Sequence, residues 1–260
     1  MKKVTTLALV LVAATAAAAD LAREALIQNG VIEAPQAGAA AIYYPVFQLD
    51  AAPKLDGRAD EPGWTSLVEA TGFNVLGTAA RTDKQTAFRI GWHGQTLYLA
   101  ASCHEPDVAL LADRLQDGGN LWDENSVEVF IGPERFQQLL VNSLGSKVWV
   151  DGGARKWQAA AFKGDDFWSL EAAIPFAALG GTPNPDEVWR FNITRNTTVF
   201  RSGGHRYSTW SVLQKSFNEP QGFRSLKFIS ETLKAADAER LTEAFRVAAG
   251  TVEFGARRVD

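Results

Sequence analysis

Short runs rich in Val, Ile, Phe, Trp and Tyr recur along the middle of this chain, separated by clusters of Gly, Asp, Asn and Pro. Nine read as strands: Thr86 to Trp92, Thr96 to Cys103, Ser126 to Ile131, Gln137 to Val141, Lys147 to Val150, Trp157 to Phe162, Trp168 to Ile174, Trp189 to Ile193 and Arg224 to Ile229. His93-Gly94-Gln95 sits between two of them, as a hairpin connection would. Alternation along Ser126 to Ile131 places Val127, Val129 and Ile131 on one face and Ser126, Glu128 and Phe130 on the other. Strands at this spacing predict an all-β sandwich or barrel. After Ile229 the period changes. Leu233, Leu241, Ala244, Phe245 and Ala248 share one helical face, so Ser230 to Gly250 is predicted as an amphipathic helix with Ser230 as N-cap. It either packs on the sandwich or docks a partner.

The N-terminus has another texture. Lys2 and Lys3, the apolar run Leu7 to Val12 and the small residues Ala17 to Ala19 form a signal-peptide pattern, with cleavage expected before Asp20. The run is too short and alanine-rich for a membrane span, and no cysteine follows it to carry a lipid anchor. The expected division is residues 1–19 as signal peptide, 20–45 as a weakly helical segment and linker, 46–229 as the sandwich, and 230–260 as helix and tail. A secreted or periplasmic location follows.

Composition then removes function classes. Residues 1–19 carry two lysines and no acids, so the net charge of −4 becomes −6 after cleavage. That is not a nucleic-acid surface. Cys103 is the single cysteine, excluding an internal disulfide, and it ends an apolar run as a buried inert thiol would. Eight tryptophans and fifteen phenylalanines suit sheets rather than helical bundles. Met1 is the only methionine, so a haem site of the Met–His kind is excluded. His93, His104 and His205 lack metal-ligand spacing, and no G-x-S-x-G motif or phosphate-binding loop marks an enzyme or a nucleotide site.

Four segments, in order, resemble the family 9 carbohydrate-binding modules. They are Pro53 to Trp64 (PKLDGRADEPGW), Phe88 to Trp92 running into Thr96 to Leu99, Leu121 to Ile131 (LWDENSVEVFI), and Trp168 to Phe176 (WSLEAAIPF). His93 and Asn125 stand where the family has acids. Trp189 to Ile193 and Phe217 to Phe228 continue the likeness, which spans roughly Phe47 to Ile229. The resemblance implies an antiparallel, jelly-roll-like β-sandwich with a sugar-binding cleft and often a structural calcium.

Sugar recognition requires a flat aromatic for the apolar face of a pyranose, and donors and acceptors for its hydroxyl rim. Trp122, in a loop, and Glu128, in the following strand, supply both. The resemblance assigns both to the binding site and makes Phe217 the second stacking ring. Gln138 and Asn142 share a face of the adjacent strand. Leu140 and Thr194 stand where the family has an arginine and a glutamine; Arg195, Arg201 and Arg206 sit nearby in sequence and could replace the lost donors. Glu128, at mid-strand, is expected to face water or a cleft. Glu171 is expected to close a structural hydrogen-bond network, and Trp64, Trp92, Trp168 and Trp189 to lie in the core. Trp149 and Trp157 could be core or surface. Asp113, Asp117, Asp123 and Glu124 could supply calcium oxygens or form a solvated acidic loop. The expected function is non-catalytic binding of an oligosaccharide or polysaccharide; the alternative is a structural or interaction domain of the cell envelope without a sugar ligand.

Overall fold

The structure is a computed structural model that describes residues 43–150 and 156–248. Its first strands are β1 (Tyr43–Gln48), β2 (Asn74–Val75), β3 (Thr86–His93) and β4 (Thr96–His104). Then come β5 (Ser126–Gly132), β6 (Gln137–Asn142), β7 (Lys147–Val150), β8 (Gln158–Lys163) and β9 (Phe167–Pro175). The last are β10 (Val188–Asn196), β11 (Tyr207–Thr209) and β12 (Arg224–Thr232). The helices are α1 (Pro62–Thr65), α2 (Phe176–Leu179) and α3 (Ala235–Ala248). All nine predicted strands form; β1, β2 and β11 are additional. Among the described residues no helix is long and apolar enough to cross a membrane.

The strands join in one sheet, ordered β7-β6-β5-β10-β12-β1-β3-β4-β9-β8, with β11 bridging β10 to β2. The expected antiparallel pairing holds at every junction except β1, which is parallel to both neighbours. Tyr43 to Val46 pair with Ser225 to Phe228 of β12; Phe47 and Gln48 then pair with Gly91 and Trp92 of β3, across a register shift. Alternation reports which face a residue takes and not the direction of its neighbour, so this reversal left no mark in the pattern.

The sheet curls around one core. Val127, Val129 and Ile131 of β5 share a buried cluster with Phe88 and Ile90 of β3, Leu97 and Leu99 of β4, and Leu170 of β9. Phe88 lies 5.6 Å from Phe191 and 5.1 Å from Trp210, ring centre to ring centre. Trp64, Trp168 and Trp189 are buried as expected; Trp92 is half-buried, donating its indole N–H to the Ile229 carbonyl at 3.1 Å. Trp149 and Trp157 are both buried, edge to face at 6.2 Å. Cys103 is buried, and burial pushes its thiol pKa up.

Glu171 closes the network expected of it, accepting from Asp56 N at 2.8 Å, Gly57 N at 2.7 Å and the Trp64 indole at 2.7 Å. Gly57 adopts φ +86°, and a Cβ there would lie 2.4 Å from the Ala161 carbonyl carbon, so this turn takes only glycine.

The C-terminal helix is shorter than predicted. Ser230 to Thr232 extend β12, with Thr232 opposite Gln48, so Ser230 is not an N-cap. Ladder hydrogen bonds outweighed the local capping signal. Leu241, Ala244 and Phe245 are buried, as the helical period predicted. Phe245 lies 5.7 Å from Tyr44 and 6.3 Å from Trp210, and burying such a side chain contributes roughly 1.5–3 kcal/mol. The helix therefore packs on the sheet. The predicted signal peptide, the segment up to residue 42 and the tail beyond residue 248 lie outside the described residues.

Candidate functional site

Neighbouring strands β6, β5, β10 and β11 turn one face away from the core, and cross-strand register sets its residues in rows. One row runs Leu140, Glu128, Thr194, Thr209; the next runs Asn142, Ser126, Asn196, Tyr207. Glu128 sits at the centre. Its Oε1 accepts from Asn196 Nδ2 and its Oε2 from Gln138 Nε2, both at 2.7 Å. The expectation that Glu128 would face water or an open cleft is corrected: it is 4% exposed. Two side-chain amides satisfy it there, which removes the argument that a mid-strand charge must reach solvent. Burial outweighs those two donors and pushes its pKa up. Beside it the Thr194 hydroxyl is buried without a hydrogen-bond partner.

Trp122 occupies a single 3-10 turn, Leu121–Asp123, immediately before β5. Leu121 is buried and pins the turn, leaving Trp122 39% exposed. No aromatic ring among the described residues packs against that indole. Arg206 fastens the turn to β11, donating from Nη2 to the Trp122 carbonyl at 3.1 Å and from Nη1 to the Thr197 carbonyl at 3.2 Å. Its guanidinium carbon lies 5.5 Å from the centre of the Tyr207 ring.

Phe217 meets Tyr207 edge to face at 5.6 Å and is half-buried. It rides a turn drawn together by Glu219, which accepts from Gln214 N at 3.1 Å, Ser216 N at 2.7 Å and also Lys215 N. Those backbone donors hold the Glu219 carboxyl below its ordinary pKa. Phe217 and Trp122 are thus connected through Tyr207 and Arg206 rather than by direct contact.

Two predicted contributors are committed elsewhere. Asn142 donates to the Leu115 carbonyl at 3.1 Å and to Glu124 Oε2 at 2.8 Å, while its Oδ1 accepts from Leu144 N and Ser146 N. Its hydrogen-bonding capacity is spent on the β6–β7 turn and the preceding loop. Arg195 is not a replacement donor. It is fully buried on the core side, 3.0 Å from Glu105 and 2.8 Å from the His104 carbonyl. Alternation in β10 puts Arg195 opposite in sense to Thr194 and Asn196. Arg201 is exposed on the following loop.

The residues that the sequence reading missed are Asn196 and Tyr207. The alternation Asn192, Thr194, Asn196 was there to be extended. Tyr207 had no such signal, because β11 is three residues long.

Three acids of the loop are engaged by protein groups. Asp113 accepts from Asn125 N at 3.1 Å, Asn125 Nδ2 at 2.9 Å and the Ser143 hydroxyl. Asp117 pairs with Lys147 at 2.7 Å, and Glu124 accepts from Arg114 N, Leu115 N and Asn142. Among the described residues no three His, Cys, Asp or Glu side chains cluster as a metal cage. A pocket of about 80 Å³ lined by Trp92, Phe176, Pro183 and Phe228 shares none of the residues above.

No protein-family model matches the chain. It is 23% identical over 188 residues to endo-1,4-beta-xylanase A of Thermotoga neapolitana and 25% identical over 188 residues to that of Thermotoga maritima. Each match covers 68% of this chain but 17% of the xylanase, so the chain spans about a sixth of the length of these relatives. Among solved structures, a family 9 carbohydrate-binding module from Caldicellulosiruptor kristjanssonii in complex with cellotriose superposes with a TM-score of 0.54 at 17% identity. The match covers 72% of this chain and 95% of the module. A family 9 module from the same organism in complex with glucose gives 0.53.

Proposed function

On the premise that this chain has the fold of the family 9 carbohydrate-binding modules, we propose that it is an exported, non-catalytic protein that binds an oligosaccharide or polysaccharide. The curled sheet is read as a jelly-roll sandwich, and export rests on the pattern of residues 1–19. The single observation that carries the reading is the exposed Trp122 indole, on a turn whose backbone carbonyl Arg206 holds beside β11, in the same set of strands as Glu128. A flat exposed ring meets the first demand of sugar recognition, and the N–H groups that Arg206 does not spend on carbonyls, with the half-buried Gln138, supply polar groups for the second. The structural neighbour's cellotriose and glucose complexes support the same ligand class. The non-catalytic reading is supported by the state of the carboxylates: Glu128 is held by two amides and Glu124 by three donors, whereas glycoside hydrolysis needs two acids facing one bond about 5–9.5 Å apart.

The second reading, a structural domain without a sugar ligand, is favoured by the burial of Glu128 and the commitment of Asn142. Calorimetric titration with xylan, cellulose and mannan oligosaccharides separates the two. Binding in the micromolar to millimolar range, lost in Trp122→Ala, is the expected result. Silence across the panel from a folded protein supports the structural reading instead.

A further inference from the structure

The face around Trp122 carries a cation without a counter-charge. Arg206 uses two of its five N–H donors on the backbone carbonyls of Trp122 and Thr197, and it forms no ion pair among the described residues. Other arginines near the sheet are differently employed: Arg195 is paired with Glu105, Arg89 with Glu69, and Arg224 lies over the Trp210 ring at 4.5 Å. Of the acids near the Arg206 turn, Asp83 lies 3.8 Å from His205, Glu124 is bonded to the 114–115 backbone, and Glu128 is bonded to its two amides. Asp123 is exposed in the Trp122 turn and makes no ion pair with Arg206.

The guanidinium lies 5.5 Å from the centre of the Tyr207 ring and is bonded to the backbone carbonyl of Trp122, and both of these aromatic residues are exposed. Trp122 is 39% exposed and Tyr207 is 44% exposed, while Phe217, expected as the second stacking ring, is half-buried behind Tyr207. Tyr207 stands in register with Asn196, whose amide holds Glu128, so its side chain rises from the same face of the sheet. Two carbonyls fix the guanidinium in place, so little rotamer freedom remains to be lost on binding.

Resting on the sugar-binding reading, we infer that Tyr207 rather than Phe217 is the ring that works with Trp122, and that Arg206 between them selects acidic saccharides, pairing with the carboxylate of a uronic acid residue. The remaining guanidinium N–H groups suit a carboxylate, and stacking on Tyr207 and Trp122 supplies the contact to the pyranose that a free carboxylate lacks.

The test is a pairwise titration of the full chain: glucuronate against glucose, then xylo-oligosaccharides with and without a glucuronic acid branch, with acetate as the bare carboxylate. The uronate member of each pair should bind about tenfold more tightly, the scale of one charge-assisted pair, and acetate should not bind. That preference should shrink as salt rises. Arg206→Gln should abolish the preference, read as the ratio of uronate to neutral-sugar affinity within that variant, and Arg206→Lys should restore part of it. Tyr207→Ala should weaken both members of each pair, and Phe217→Ala should weaken them less. Equal affinity for uronate and neutral sugar in the wild type overturns the inference and leaves sugar binding intact. So does a preference that survives Arg206→Gln. Binding of acetate as tight as that of glucuronate overturns it in favour of a simple anion site. Absence of binding by every sugar removes the underlying reading as well.

Discussion

Glu105 offers the sharpest test of how this sheet is held closed. It lies just beyond β4 and is fully buried, with Oε1 2.5 Å from Lys84 Nζ and Oε2 3.0 Å from Arg195 Nη2. Lys84 and Arg195 are themselves 2% and 0% exposed. Glu105→Ala strips the carboxylate from both. Lys84 retains Asp107 at 3.6 Å and the Val199 carbonyl at 2.8 Å, whereas Arg195 is left with backbone carbonyls alone. Removing one member of a buried ion pair costs about 3–5 kcal/mol, because the surviving charge stays buried without its partner. At a urea slope of about 2 kcal/mol/M, the midpoint should fall by roughly 2 M. The assay is equilibrium unfolding followed by tryptophan fluorescence, with Glu105→Gln expected between the two. A midpoint shift under about 0.5 M at unchanged slope would refute the reasoning, since it would mean that Arg195 had found water or that the network contributes nothing.

Two further outcomes follow from single groups. Burial raises the folded-state pKa of Glu128, so the folded chain holds that proton to higher pH than the unfolded one and Glu128 costs stability as pH rises from its ordinary value near 4.5 through the raised value. Glu128→Gln should therefore gain relative to wild type between pH 4 and pH 7; a stability difference that is flat or falls with pH in paired urea titrations contradicts this. Because Asp113, Asp117 and Glu124 already accept protein hydrogen bonds, excess EDTA should leave the melting temperature within about a degree, and a drop of several degrees would reveal a calcium ion.

The strands were legible because their period is a property of single segments. Val127, Val129 and Ile131 had to share a face whatever the neighbour, and they do. Glu171 and Trp64 were legible for a similar reason, since a buried carboxylate has few ways to be satisfied. Pairing was not legible. The parallel setting of β1, the strand character of Ser230 and the three-residue β11 that presents Tyr207 all depend on a partner far along the chain. The site suffered from the same limit. Alternation placed Gln138 and Asn142 on one face of their strand, but Glu128 takes its second donor from Asn196 of β10 and Asn142 is drawn to the loop around residue 115, neither of which a local pattern connects to them.

The double pairing of β1 also orders events in time. Tyr43 has no strand to lie against on one side until Ser225 exists, so the first strand of the described residues waits for the last of them. Until then, β3 and β12 offer each other no joint, and the sheet remains two halves with an unfilled slot. A chain emerging stepwise cannot join these two halves until Arg224–Thr232 is available.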